Sequence, residues 1–225
     1  NRDGKKVRKV SAYNKYHKPQ ISLNHLWEIN DKSSLSSVFY VSLGRGGGYG
    51  GRSTKAHKYD WYGTSKGMPT TGNFRAADGT FNYTAVYDLN AASVTGSEMV
   101  MAMSRNEHNW YGLISTYTTK LGQYFDVYGG VDLRYYKGKH YNEIVDLYGG
   151  RYFIDDSRMN VKYKADDYLW QNEELKKGDI VFRNYDGYML QEGFFAQGEY
   201  NRDALSVFMA GSLSNITYWR KDHFY

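Results

Sequence analysis

The sequence predicts an all-β fold, an antiparallel up-and-down meander of about six strands that forms a segment of a transmembrane β-barrel. Three observations predict it. The first is the stretch at residues 124–136. Phe125, Val127, Val131, Leu133 and Tyr135 fall at its odd positions, and Asp126, Tyr128, Asp132, Arg134 and Tyr136 at its even ones. Successive strand side chains point to opposite faces, so one face is apolar while the other carries three charges. A helix would scatter those charges around its circumference. Charges need water or polar partners, so this strand divides a greasy environment from a wet one. The second observation is loop length: three short turns alternate with two very long excursions. Sandwiches and soluble barrels spread loop length more evenly, whereas outer-membrane barrels combine short periplasmic turns with long extracellular loops. The third is the placement of Trp27, Trp110, Tyr111, Tyr135, Tyr136, Tyr200, Tyr218 and Trp219 near strand ends, where interfacial girdles fall.

Taken in order, residues 1–19 read as an irregular basic segment ending at Lys18-Pro19, where proline favours extended backbone. Ile21, Leu23, His25, Trp27 and Ile29 then alternate with Ser22, Asn24, Leu26 and Glu28. A polar turn around Asp31 leads into a return strand over 35–43, which makes the first hairpin. Gly44 opens a glycine tract, read as a flexible loop tip, and no clean alternation returns until about Trp110. Within that connection residues 91–105 carry Val94, Met99, Val100 and Met103, enough for a short helix. Residues 110–119, the turn at Gly122 and the 124–136 strand form the second hairpin. A second excursion covers roughly residues 137–187, and strands over 190–200 and 205–219 meet at a turn containing Asp203.

Composition agrees with this. Tyr and Gly number 24 each, with two Pro and no Cys, which suits twisted β-structure and excludes disulfides and thiolate metal sites. The net charge is +5, partly from Lys5, Lys6, Arg8, Lys9, Lys15 and Lys18. These basic residues sit on no recognition helix, so they read as a solvated loop with no nucleic-acid partner. No apolar run of about 20 residues is present, which excludes a transmembrane helix but not a barrel, whose strands need only about 9–11 residues. The chain opens without Met and ends with its pattern still running, so it is expected to be a segment of a longer protein, all of 1–225 belonging to one barrel domain.

Several of these segments resemble a known family. His17-Lys18-Pro19-Gln20-Ile21-Ser22-Leu23-Asn24-His25, Leu43-Gly44-Arg45-Gly46 and Asn109-Trp110-Tyr111-Gly112-Leu113 are similar to the barrel region of Bacteroidetes-type TonB-dependent outer-membrane receptors. So are Gly129-Gly130-Val131-Asp132-Leu133-Arg134-Tyr135-Tyr136 and Glu192-Gly193-Phe194-Phe195-Ala196-Gln197-Gly198-Glu199-Tyr200. The resemblance implies a bacterial outer-membrane protein with a barrel of about 22 strands and a plug in its lumen. It further implies uptake of a nutrient (a glycan, peptide, siderophore or cobalamin-like ligand) energised through TonB by way of the plug region. A surface lipoprotein partner belongs to some such systems. Transport of this kind needs no bond chemistry and no cofactor within the barrel, so the chain is read as a non-enzyme.

Chemical motifs are weak. Gly63-Thr64-Ser65-Lys66-Gly67 has the spacing of a nucleophile elbow but lacks the buried strand and following helix that the elbow needs. Gly46, Gly48 and Gly51 match a dinucleotide fingerprint without its βαβ unit. Asp155-Asp156 and Asp166-Asp167 offer oxygen ligands for calcium, or are simply solvated acids. The aromatic residues of the excursions carry more. Trp61, Tyr62 and Trp170 are candidate ligand-binding residues with broad flat faces, the alternative being that they pack the loops together. Asp126, Asp132 and Arg134 are expected to face the lumen. Two other function classes stay open: a soluble β-rich carbohydrate-binding module and a β-sheet glycoside hydrolase.

Overall fold

The computed structural model describes residues 13–58, 60–61, 64–65, 68–69, 74, 80–157 and 173–224. The strands are β1 (Asn14–His17), β2 (Gln20–Asn30), β3 (Ser33–Ser53), the short pair β4 (Thr64–Ser65) and β5 (Met68–Pro69), β6 (Met99–Leu121), β7 (Phe125–Asp146), β8 (Ile180–Arg202) and β9 (Leu205–Asp222), with one helix, α1 (Tyr83–Ala92), before β6. All but β4 and β5 join one antiparallel sheet in the order β1/β2, β3, β6, β7, β8, β9. Strands β1 and β2 are successive lengths of one edge, interrupted where Lys18-Pro19 lacks an N–H. The Pro19 carbonyl still accepts from Leu43 N at 3.1 Å, so the ladder resumes at once. The protein is thus an antiparallel all-β meander, and the sheet is open, with β2 and β9 as its edges.

The expected hairpins are present, and their turns lie at one end of the sheet with both excursions at the other. Gly122 supplies the positive φ of the second turn and Asp203 that of the third, at +70° and +49°. Neighbouring turns are tied: Lys120 N donates to Lys32 O and Asn201 N to Tyr124 O. The turns also step along the strands. Ser33 pairs with Thr119, which pairs with Val127, whereas Phe125 pairs with Tyr200, two residues before Arg202. Such stagger accompanies strand tilt in a curved sheet.

Because cross-strand partners share a face, the register assigns every side chain. Leu23, Phe39, Leu113 and Leu133 form one row of the first face; Val131, Phe194 and Leu213 form the next; Phe125, Tyr200 and Val207 close it near the turns. Among the described residues nothing covers this face between its two ends: Ile21, Leu213 and Met209 are 73%, 74% and 82% exposed. The other face carries Ser36, Ser42, Thr116, Asp132, Arg134, Gln191 and Ser214. The strands are long, 21 residues in β3, 23 in β6, 22 in β7 and 23 in β8.

This length corrects three expectations. The glycine tract after Leu43 is paired strand, bonded to β1 and β6. Glycine is needed there because rings lie flat on the backbone: a Cβ at Gly51 would fall inside the Trp61 indole. Residues 91–105 are helical only to Ala92; Met99, Met101 and Met103 alternate with Val100 and Ala102, a period of two that puts them on opposite faces of β6. The second excursion begins at Leu147, since β7 continues ten residues past Tyr136 to Asp146.

The excursions fold onto the two sides of the distal sheet. On the apolar side Met99 and Met101 pack with Trp61, Phe74, Val86 and Tyr148. On the polar side Val100, Ala102, Ile144 and Val181 pack with Phe153 and Leu175. Helix α1 is capped by Asn82, whose Oδ1 accepts from Ala85 N at 3.1 Å. One turn apart, Val86 and Asn90 face inward. The Asn90 side chain ties the layers: it donates to Met99 O and Leu147 O at 2.8 Å and accepts from Glu98 N at 2.9 Å.

Candidate functional site

Trp61 does not present a face to a ligand. It is 4% exposed, stacked on Phe81 at 5.0 Å and tilted against Tyr148 at 5.6 Å, and its Nε1 donates to Arg52 O at 2.7 Å. Packing is the role the structure gives it. A large ring next to Gly51 gains more from burial over bare backbone than from water. Tyr62 and Trp170 lie outside the described residues, as do Asp166 and Asp167 and most of the nucleophile-elbow spacing. Asp155 is buried and accepts from Phe182 N at 2.7 Å, while Asp156 accepts from Lys55 N at 2.9 Å and links the two excursions. Both have a structural partner. Among the described residues no three His, Asp or Glu side chains converge as metal ligands.

Asp126, Asp132 and Arg134 share the polar face. Arg134 grips Asp132 with two bonds, Nε to Oδ1 at 3.1 Å and Nη2 to Oδ2 at 2.9 Å, and Gln191 adds a third contact at 3.3 Å. Asp126 stands 4.0 Å from Lys120 near the second turn.

The strand-end aromatics divide between the faces, which corrects the expectation that all of them belong to interfacial girdles: neighbours such as Tyr135 and Tyr136 must point opposite ways. On the apolar face Tyr111, Tyr135, Tyr188 and Trp219 make a row, with centroids 6.3 Å, 6.4 Å and 5.2 Å apart from pair to pair. Near the turns Phe125 and Tyr200 make a second, at 4.9 Å. Past the upper row the same face becomes ionic: Arg45 lies 3.6 Å from Glu107, Lys137 3.3 Å from Asp186, and Arg105 2.9 Å from Glu143. Lys137 and Tyr188 help hold the Asp186 carboxyl below its usual range although burial opposes them.

On the polar face Trp110, Tyr136, Met189 and Tyr218 occupy one row. His108, Gly138, Gly187 and Arg220 form the next, and Asn106, His140, Tyr185 and Asp222 the one beyond. A recess of about 620 Å³ opens here, lined by Trp110, Tyr136, Gly187, Met189, Tyr218 and Arg220, with Tyr188 and Trp219 of the other face also bordering it. Arg220 lies 3.9 Å above the Tyr185 ring and pairs with Asp222. His140 stacks on Tyr185 at 5.0 Å and donates from Nδ1 to Asn106 Oδ1 at 2.8 Å. Burial first, then Arg183 and His108, push the His140 pKa down; burial, then Lys18 and Arg45, do so for His108. Both shifts favour the neutral ring. The sequence contained the signal for this cluster, aromatics at even positions beside glycine, but only the register aligns it across four strands. No protein-family model, curated protein or solved structure matches the chain.

Proposed function

We propose that this chain is part of a TonB-dependent outer-membrane receptor of the Bacteroidetes type, which imports a nutrient ligand through a barrel spanning the bilayer. The observation that carries the reading is the height of the bare apolar face. From the Phe125 row to the Tyr135 row the strand advances about ten residues, roughly 33 Å at strand rise. Tilted by about 40°, that is roughly 25 Å, the height of the apolar band on outer-membrane barrels, which is likewise bounded by aromatic rows. Charged pairs begin at the upper row, where Lys137 is in register with Tyr188, and continue past it, as expected at headgroup level. Glu192 shares a row with Leu133 but stands farther from its own turn, because the turns step along the strands; it falls near the level of Tyr135. No helix among the described residues is long and apolar enough to cross a membrane, which says nothing of strands. The polar face supports a water-filled interior, and the family resemblance supplies the TonB-driven step.

Two measurements test this in cells. The protein should stay with outer membranes through urea and carbonate washes and dissolve only in detergent. An epitope inserted beside Val94, which is 91% exposed, should label on intact cells, while one at Asp203 should not. Recovery in buffer would favour the soluble carbohydrate-binding module, and surface labelling at Asp203 would invert the orientation.

A further inference from the structure

We infer that the recess over Gly187 is a binding site for a neutral saccharide on the inner, polar face; the inference rests on the reading above only for where the site lies. Gly187 has no packing reason to be glycine. A Cβ built there meets nothing within 4 Å, so the missing side chain leaves open space and avoids no clash. The neighbouring Gly138 is different, since its Cβ would strike the Tyr136 hydroxyl. The space above Gly187 is walled by rings. Trp110 and Tyr136 stand 4.7 Å apart at 49°, forming a corner, and Tyr218 is 70% exposed beside them. The Trp110 Nε1 and the Tyr136 and Tyr218 hydroxyls make no hydrogen bond within the described residues. These polar atoms are free for a ligand.

Charge and shape select the ligand class. Arg220, the cation at the rim, is already compensated by Asp222 and lies over Tyr185. His108 and His140, in the rows above, have their pKa values lowered by burial first and then by nearby cations. The one cation lining the recess is thus compensated, which gives no reason to recognise an anion. Two rings tilted at 49° suit a puckered ring whose C–H groups turn to aromatic faces while hydroxyls reach the edges. A flat macrocycle would want parallel surfaces. The recess, about 620 Å³, is within the range of small-molecule sites.

The test uses the whole protein in detergent micelles and isothermal titration. The probes are neutral hexasaccharides of α-glucan, β-glucan, β-mannan and fructan, an anionic polygalacturonate hexamer, and haemin. At least one neutral hexasaccharide is expected to bind. Gly187→Leu should fill the recess and lower its affinity more than tenfold, and Trp110→Ala and Tyr218→Ala should each lower it on the order of tenfold through lost stacking. Gly198→Leu is the control. It too adds a side chain that meets nothing within 4 Å, but on the apolar face, and it should leave affinity unchanged. Unheated gel mobility reports assembly of each variant. Binding of no neutral probe, binding of only haemin or the polyanion, or neutral-probe affinity unaffected by Gly187→Leu and Tyr218→Ala in assembled protein would each overturn the inference. Its failure is separable from that of the receptor reading. A membrane-bound protein that ignores saccharides sinks this inference alone, and a buffer-soluble protein whose saccharide binding is lost in Gly187→Leu sinks the receptor reading alone.

Discussion

Val131→Arg and Asp132→Arg place the same charge on adjacent residues of β7, on opposite faces of the sheet. Val131 sits midway between the two aromatic rows of the apolar face, in register with Ser115, Phe194 and Leu213. If the apolar face lies against lipid, as proposed, an arginine there at the middle of the bilayer costs about 2–4 kcal/mol. Asp132→Arg instead removes one partner of an ion pair whose side chains are 38% and 22% exposed, so the loss is about 0–1 kcal/mol. Crowding Arg134 with a second cation adds little where water screens both. The expected difference is about 2–3 kcal/mol, roughly thirty- to a hundred-and-fiftyfold in the folded-to-unfolded ratio. The assay is urea titration of the whole protein folding into phospholipid vesicles, read by the mobility of unheated samples on gels. Val131→Arg should shift the midpoint clearly toward lower urea while Asp132→Arg stays close to the parent. Equal shifts would refute the assignment of faces, since no other difference between the two positions approaches that size.

Two further outcomes follow from the distal layers. Trp61→Ala should cost the packing of the first excursion about 3–5 kcal/mol, the usual range for deleting a buried tryptophan. Limited proteolysis should then cut residues 54–98 at least tenfold faster, with membrane assembly unchanged; an unaltered cleavage rate would mean that the indole is not a packing anchor. His140 supplies a pH dependence. Its folded pKa lies below the ordinary 6.5, chiefly through burial, with Arg183, His108 and Arg220 adding to the effect and Asp186 opposing it. The stability it contributes is therefore complete above pH 6.5 and is lost as pH falls from there through the folded value. Thermal melts of the distal strands should weaken over that interval, less so in His140→Gln. A steeper loss in His140→Gln than in the parent would contradict the sign.

The alternation of Phe125, Val127 and Val131 with Asp126, Asp132 and Arg134 was sufficient to predict strand, antiparallel meander and two-faced sheet, because side-chain direction in a strand depends only on position parity. The turns at Asp31, Gly122 and Asp203 were legible for a similar local reason: polar residues and glycine are favoured where backbone must reverse. Pairing of distant segments was not legible in the same way. Gly44 to Gly51 looks like a loop when read alone, since nothing local reveals that Tyr16, Ser104 and Trp61 press onto its backbone. Trp61 looks like an exposed binding residue because a loop sequence carries no record of the core that will cover it. Trp110, Tyr136 and Tyr218 were noticed as strand-end aromatics, yet they lie on β6, β7 and β9, separated by excursions whose lengths leave the register undetermined. Only the hydrogen-bonded ladder sets those three rings in one row beside Gly187, because register is a property of paired strands and not of any one of them.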